Sequence, residues 1–170
     1  MTTPPTPSSK PSGPSLLDGI RLAKENEKAA ADFYATAGKT SGNPGAKKLF
    51  EELTAFEKIH YERLTALEES LKKDGKYISY AGTDFVVPPS LVIRLPELPD
   101  APSVMTVITE AVDLEARAET AYSKLAELTA DAQGHDMFLK LAEEEHGHYR
   151  LLKEVYWTLN NRGEWKATAR

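Results

Sequence analysis

The sequence contains no cysteine in 170 residues. That excludes disulfides, thiolate zinc sites, iron–sulfur clusters and cysteine nucleophiles together. No apolar run approaches the roughly 18 residues that a bilayer-spanning helix requires. Nor does an apolar stretch follow Lys10 near the N-terminus, so a secretory signal is not expected and a cytoplasmic setting is. Basic residues are not in excess: the net charge is -5, which gives no reason to expect nucleic acid or a membrane as partner. Proline is nearly absent from four long stretches. Five of the eleven prolines fall in residues 1–14 and five more in residues 74–102. What remains, 41% hydrophobic and 28% charged, is ordinary for one compact domain able to bury a core.

The proline-poor stretches carry helical periodicity. Residues 1–14, rich in Pro, Ser and Thr, cannot bury enough surface to offset ordering entropy and read as a disordered arm. Helices are expected over about 15–39, 45–73, 103–130 and 135–160, within a domain spanning 15–162, followed by a tail at 163–170. Ser15 and Ser103 stand as N-caps, Pro44 near a helix start and Gly163 past the last helix. The first and last pairs of helices are joined by short turns, the middle pair by about 28 residues. A structureless loop of that length would argue against the assignment. Two short turns and one long connection instead describe an all-α four-helix bundle, two antiparallel hairpins joined by a crossover, the topology of ferritin-like folds. The apolar runs Phe85-Val86-Val87 and Leu91-Val92-Ile93 suggest that the crossover lies against the bundle or a second subunit.

The two hairpins repeat one polar constellation. Glu27 is followed by Tyr34 at +7, Glu57 at +30 and His60 at +33; Glu115 is followed by Tyr122, Glu145 and His148 at the same offsets. Phe50 and Leu53 before Glu57 match Phe138 and Leu141 before Glu145. That register prefers Glu145/His148 over the overlapping pair Glu143/His146. Residues three apart share a helix face, so each E-x-x-H projects a carboxylate and an imidazole into the bundle together. Glu27 and Glu115 sit mid-stripe on the other two helices.

Glutamate is rarely buried unless paired, and desolvating an ion costs several kcal/mol. The inward stripes supply no Lys or Arg to pair with these carboxylates. Two divalent cations would balance the four. A set of carboxylates and imidazoles suits iron, with manganese possible, better than tetrahedral zinc or an all-oxygen calcium or magnesium site. A single E-x-x-H is weak evidence; the pair at matched spacing is strong.

At these residues the chain resembles the ferritin-like di-iron carboxylate family, and within it rubrerythrin-type proteins. The similarity spans about residues 16–160. It rests on E-x6-Y (Glu27/Tyr34, Glu115/Tyr122), F-E-K-I-H at 56–60 and L-A-E-E-E-H-G-H-Y at 141–149. The resemblance implies that Glu57 and Glu145 bridge two iron ions, that Glu27 and Glu115 are terminal ligands, and that His60 and His148 each bind one metal. It implies an enzyme, a peroxidase or ferroxidase acting on hydrogen peroxide or dioxygen. Two departures stand out. Rubrerythrins carry a further glutamate about one turn after the first on the third helix, where this chain has Ala118; Glu119 is a candidate substitute. They also end in a cysteine-ligated module that this sequence does not contain, so a peroxidase cycle would need a separate electron-donor protein.

Tyr34 and Tyr122 are read as packed aromatics or as hydrogen-bond donors to a ligand carboxylate of the opposite half. Glu143, Glu144 and His146 read as a solvated face, and His135 as an exposed helix start. Tyr156, Trp157 and Trp165 read as core or dimer contacts, a homodimer being expected. Iron storage or delivery, and hydroxylation of an organic substrate, are the competing functions.

Overall fold

The structure, a computed structural model, describes residues 15–84, 87–95 and 101–167, with residues 101–103 described by their backbone only. The arm expected over 1–14, and Phe85, Val86, Pro96 and Pro99 of the crossover, lie outside the described residues. Four helices, α1 (Leu16–Thr40), α2 (Pro44–Asp74), α3 (Ala101–Leu128) and α4 (Ala132–Arg162), form an all-α bundle. It packs as two hairpins, α1 on α2 and α3 on α4.

Local chemistry sets the helix ends. Ser15 and Asp18 form a reciprocal capping box at the start of α1. Asn43 caps α2 by accepting from the Ala46 N–H at 3.0 Å, with Pro44 in the first turn, where its missing N–H costs nothing. Gly75 and Gly163 close α2 and α4 in the left-handed conformation, φ 64° and 68°. Two boundaries differ from the sequence expectation. Helix α3 begins at Ala101, so Ser103 lies inside it and does not cap it. Helix α4 begins at Ala132 because the Asp131 carboxylate accepts from the N–H groups of Gln133 and Gly134, each at 2.9 Å.

The crossover lies against the bundle. Tyr77 packs where Gly134 leaves room: a Cβ at that glycine would stand 2.2 Å from the Tyr77 ring. Farther along, β1 (Val92–Arg94) pairs antiparallel with β2 (Glu164–Lys166). This strand stands where the sequence suggests only a tail. Ile93 and Trp165 are partners in the register and both are buried, so the residues after α4 clamp the crossover onto the bundle end. Asn43 Nδ2 adds a 2.6 Å bond to the Arg94 carbonyl.

The apolar core is divided in two. One cluster, around Leu49, Phe50, Leu53, Ile108, Leu152 and Trp165, fills the end closed by the strand pair. The other, around Ile20, Leu64, Leu67, Met137, Phe138 and Leu141, fills the opposite end. Between them lies a polar layer.

Gly45 tests the crossover's seat. A Cβ there would fall 1.9 Å from the Val92 carbonyl oxygen, a backbone atom that cannot swing away. Gly45→Ala is expected to lower stability by about 1–3 kcal/mol, read as a drop in thermal midpoint. An unchanged midpoint would mean that β1 is not seated on α2.

Candidate metal centre

Six side chains make the polar layer, each from the middle of a helix. Glu27 comes from α1, Glu57 and His60 from α2, Glu115 from α3, and Glu145 and His148 from α4. None is more than 3% exposed. They fall into two overlapping quartets. Glu27, Glu57, His60 and Glu145 bring one donor atom each within 4.8 Å of one another, and so do Glu57, Glu115, Glu145 and His148. Glu57 and Glu145 belong to both.

Each imidazole turns Nδ1 to the cluster. His60 Nδ1 lies 2.8 Å from Glu145, 3.6 Å from Glu57 and 3.7 Å from Glu27. His148 Nδ1 lies 3.3 Å from Glu145, 3.5 Å from Glu115 and 3.8 Å from Glu57. The rings are nearly parallel, centroids 5.9 Å apart. Each tyrosine crosses to the other half: Tyr34 donates its hydroxyl to Glu115, and Tyr122 donates to Glu27. Burial and the adjacent carboxylates raise both phenols well above their usual pKa, so they stay protonated donors.

The lysines flanking Glu27 on α1 are committed elsewhere, Lys28 to Asp32 at 3.2 Å. Lys24, one turn before Glu27, reaches Glu68 at 2.8 Å, alongside Arg21 at 3.0 Å. Among the described residues, the ion pairs of the four central carboxylates are with the two histidines alone.

Where no cation is bound, protons offset the charge. Burial, then the neighbouring Glu145 and Glu115, push Glu57 well above the carboxylate range, and burial with Glu145 raises Glu115 to about 8. Burial would lower the histidines, but carboxylates outweigh it: Glu145 foremost holds His60 well up, and Glu115 with Glu145 holds His148 at about 9. Burial would raise Glu145, yet His60 and His148 keep it well below the usual range.

The donor set fits metal ions. Glu57 Oε1, both oxygens of Glu145 and His60 Nδ1 are buried and stand at ion-pair distance within the cluster, yet none makes a hydrogen bond of proper geometry among the described residues. A cavity of about 150 Å³ opens between α1 and α3 onto all four carboxylates, walled by Asn26, Ala29, Ala30, Leu114, Arg117 and Ala118.

Other candidates face outward or take different roles. Glu143 and His146 are exposed, so the E-x-x-H of α4 that reaches the interior is Glu145/His148. Glu119 pairs with His146 Nδ1 at 3.1 Å on the outer surface and does not join the cluster. His135 is exposed, with Nδ1 2.9 Å from the Ala126 carbonyl. Trp165 is core, whereas Tyr156 and Trp157 are exposed. Glu144 corrects the sequence reading. It is not part of a solvated face: its side chain is 11% exposed and lies 2.9 Å from His60 Nε2. The available signal was its place in the repeat, where the matching residue is the apolar Phe56.

The Rubrerythrin family model matches residues 3–68, which include all of α1 and most of α2. Over those residues the chain is similar to rubrerythrin. The second hairpin carries the same constellation by the internal repeat, and the two together support a ferritin-like di-iron protein whose buried clusters are compatible with metal binding. A solved structure, "Hypothetical Protein Pfu-1136390-001 From Pyrococcus furiosus", is similar at 26% identity and TM-score 0.65, covering 91% of this chain and 94% of that one. No curated protein matches the chain significantly.

Two outcomes are expected of this candidate centre. Glu57→Ala and Glu145→Ala should each lose bound metal while Glu143→Ala keeps it, measured by metal analysis after desalting; equal loss in all three would contradict the register of α4. Metal must also displace the protons held by Glu115 and His148. Affinity should therefore rise with pH up to about 9, with proton release on loading seen by calorimetry in buffers of different ionisation enthalpy. A pH-independent affinity would exclude these groups as ligands.

Proposed function

We propose that this protein is a di-iron oxidoreductase of rubrerythrin type that acts on hydrogen peroxide or dioxygen, as a peroxidase or ferroxidase. The observation that carries the reading is the pair of quartets sharing two carboxylates, since a shared carboxylate is what brings two ions to one site. Glu57 and Glu145 would bridge, Glu27 and His60 would complete one position, and Glu115 and His148 the other. Two irons held there would supply the two electrons that, with two protons, reduce hydrogen peroxide to water.

The chain's own contribution is placement and exclusion. The apolar plugs above and below keep bulk water from the donors. Tyr34 and Tyr122 hold the terminal carboxylates in place and join the two hairpins across the site. The cavity has room for a molecule of a few heavy atoms, which favours a small oxidant over an organic substrate. A full peroxidase cycle draws its electrons from a separate donor protein, and we place this activity in the cytoplasm, in a homodimer.

Anaerobic loading with iron(II), followed by peroxide or air in separate stopped-flow runs, tests the proposal. Oxidation is expected to give a new near-ultraviolet absorbance, and the faster run identifies the oxidant. Silence in both runs with two irons bound would sink it. Tyr34→Phe and Tyr122→Phe should keep both metals and slow oxidation about 10-fold or more; unchanged rates would reduce the tyrosines to packing.

A further inference from the structure

The two halves of the centre share one spacing but are backed differently. Residue 144 precedes Glu145 as residue 56 precedes Glu57, so Glu144 and Phe56 occupy matching positions. Phe56 sets a ring against His148 nearly at right angles, centroids 5.1 Å apart. Glu144 instead holds Oε2 2.9 Å from His60 Nε2. The same carboxylate accepts from the Tyr80 hydroxyl at 2.7 Å and from the Thr83 backbone N–H. Between them Gly82, at φ 84°, turns the crossover around it; a Cβ there would stand 3.2 Å from Glu144 Oε1.

Glu144 is the acceptor for the Tyr80 hydroxyl and the Thr83 N–H, and in the same role toward His60 it takes the proton that Nε2 carries. That leaves Nδ1, aimed at Glu145, Glu57 and Glu27, as the nitrogen that faces a metal. A carboxylate partner on the outer nitrogen fixes the ring and makes the inner one a stronger donor. The matching residue behind His148 is a phenyl ring with no acceptor oxygen.

We propose that Glu144 is a positioning residue that makes the two metal positions unequal. It locks His60 in the Nε2–H tautomer and makes the position formed by Glu27, Glu57, His60 and Glu145 the tighter one. It also ties the crossover to that position. The inference rests on the two-metal reading of the site, and its test separates the two.

The test is an anaerobic titration of the full-length, metal-free protein with cobalt(II), followed by ligand-field absorption and by bound metal after desalting. Wild type is expected to take up two ions in two resolved steps. Glu144→Ala should weaken the first step about 10–100-fold and leave the second in place. Glu144→Gln, which keeps an acceptor oxygen without the charge, should fall between. Tyr80→Phe, which removes only the crossover's hydroxyl, should keep both steps. In the proton NMR spectrum of the cobalt-loaded protein, the slowly exchanging His60 imidazole N–H should be lost in Glu144→Ala and retained in Tyr80→Phe. Fewer than two ions in wild type would defeat the two-metal reading itself. Two ions in wild type with an unaltered or equally weakened pair of steps in Glu144→Ala would overturn the role of Glu144 alone. If circular dichroism shows that variant unfolded, Glu144→Gln decides, and a wild-type first step in it overturns the proposal.

Discussion

Four carboxylates can share the interior of a helical bundle only if positive charge lies between them, and the rest of this molecule is arranged around that constraint. The desolvation penalty is several kcal/mol for each ion, and mutual repulsion adds to it. Cationic side chains close to the layer are spent elsewhere, Lys24 on Glu68 and Arg117 on Asp113. Protons on Glu57, Glu115 and the histidines fill the gap in the metal-free site, at the expense of the usual carboxylate and imidazole ionisation. A site that must borrow protons at neutral pH is one that divalent cations can enter by displacing them. The same repulsion that would unsettle the core thereby becomes affinity for metal.

The duplicated hairpin solves the geometric half of the problem. Because Glu27, Tyr34, Glu57 and His60 recur at equal offsets as Glu115, Tyr122, Glu145 and His148, packing the hairpins face to face brings the donors to one level. Each tyrosine bonds the carboxylate of the other hairpin, so neither half completes the site alone. The duplication is broken where the crossover passes. It reaches the His60 side through Tyr80 and Thr83, and there the repeat has Glu144 where the matching position of the other half is Phe56.

The bundle and the six central residues were legible in the sequence because both depend on local period. A buried stripe recurs every three or four residues, and E-x-x-H places its two donors on one face by the same arithmetic. The overlapping choice on α4 was settled by the internal repeat, and the structure buries Glu145 and His148 while exposing Glu143 and His146. What escaped depends on distant partners. Glu144 is flanked by charged residues and looks solvated until the crossover folds over it. The strand at Glu164–Lys166 is too short to carry a pattern and exists only because Val92–Arg94 lies beside it. Glu119, four residues after Glu115, has a plausible spacing but meets His146 on the outer surface.

The placement of the donors also explains why the core is split. A one-residue slip rotates a helical side chain by about 100°, which would carry a ligand from the centre to the surface. Holding four helices in register therefore needs rigid packing on both sides of the polar layer, not on one. Phe50 and Leu53 stand seven and four residues before Glu57, and Phe138 and Leu141 stand at the same offsets before Glu145. Since Phe50 and Leu53 belong to one cluster and Phe138 and Leu141 to the other, the first pair locks one end of the bundle and the second pair the opposite end. Each E-x-x-H is thus fixed by apolar contacts about one and two turns away on its own helix. The carboxylates repel one another, so beyond the tyrosine bonds to Glu115 and Glu27 the alignment rests on those apolar contacts until cations join the site.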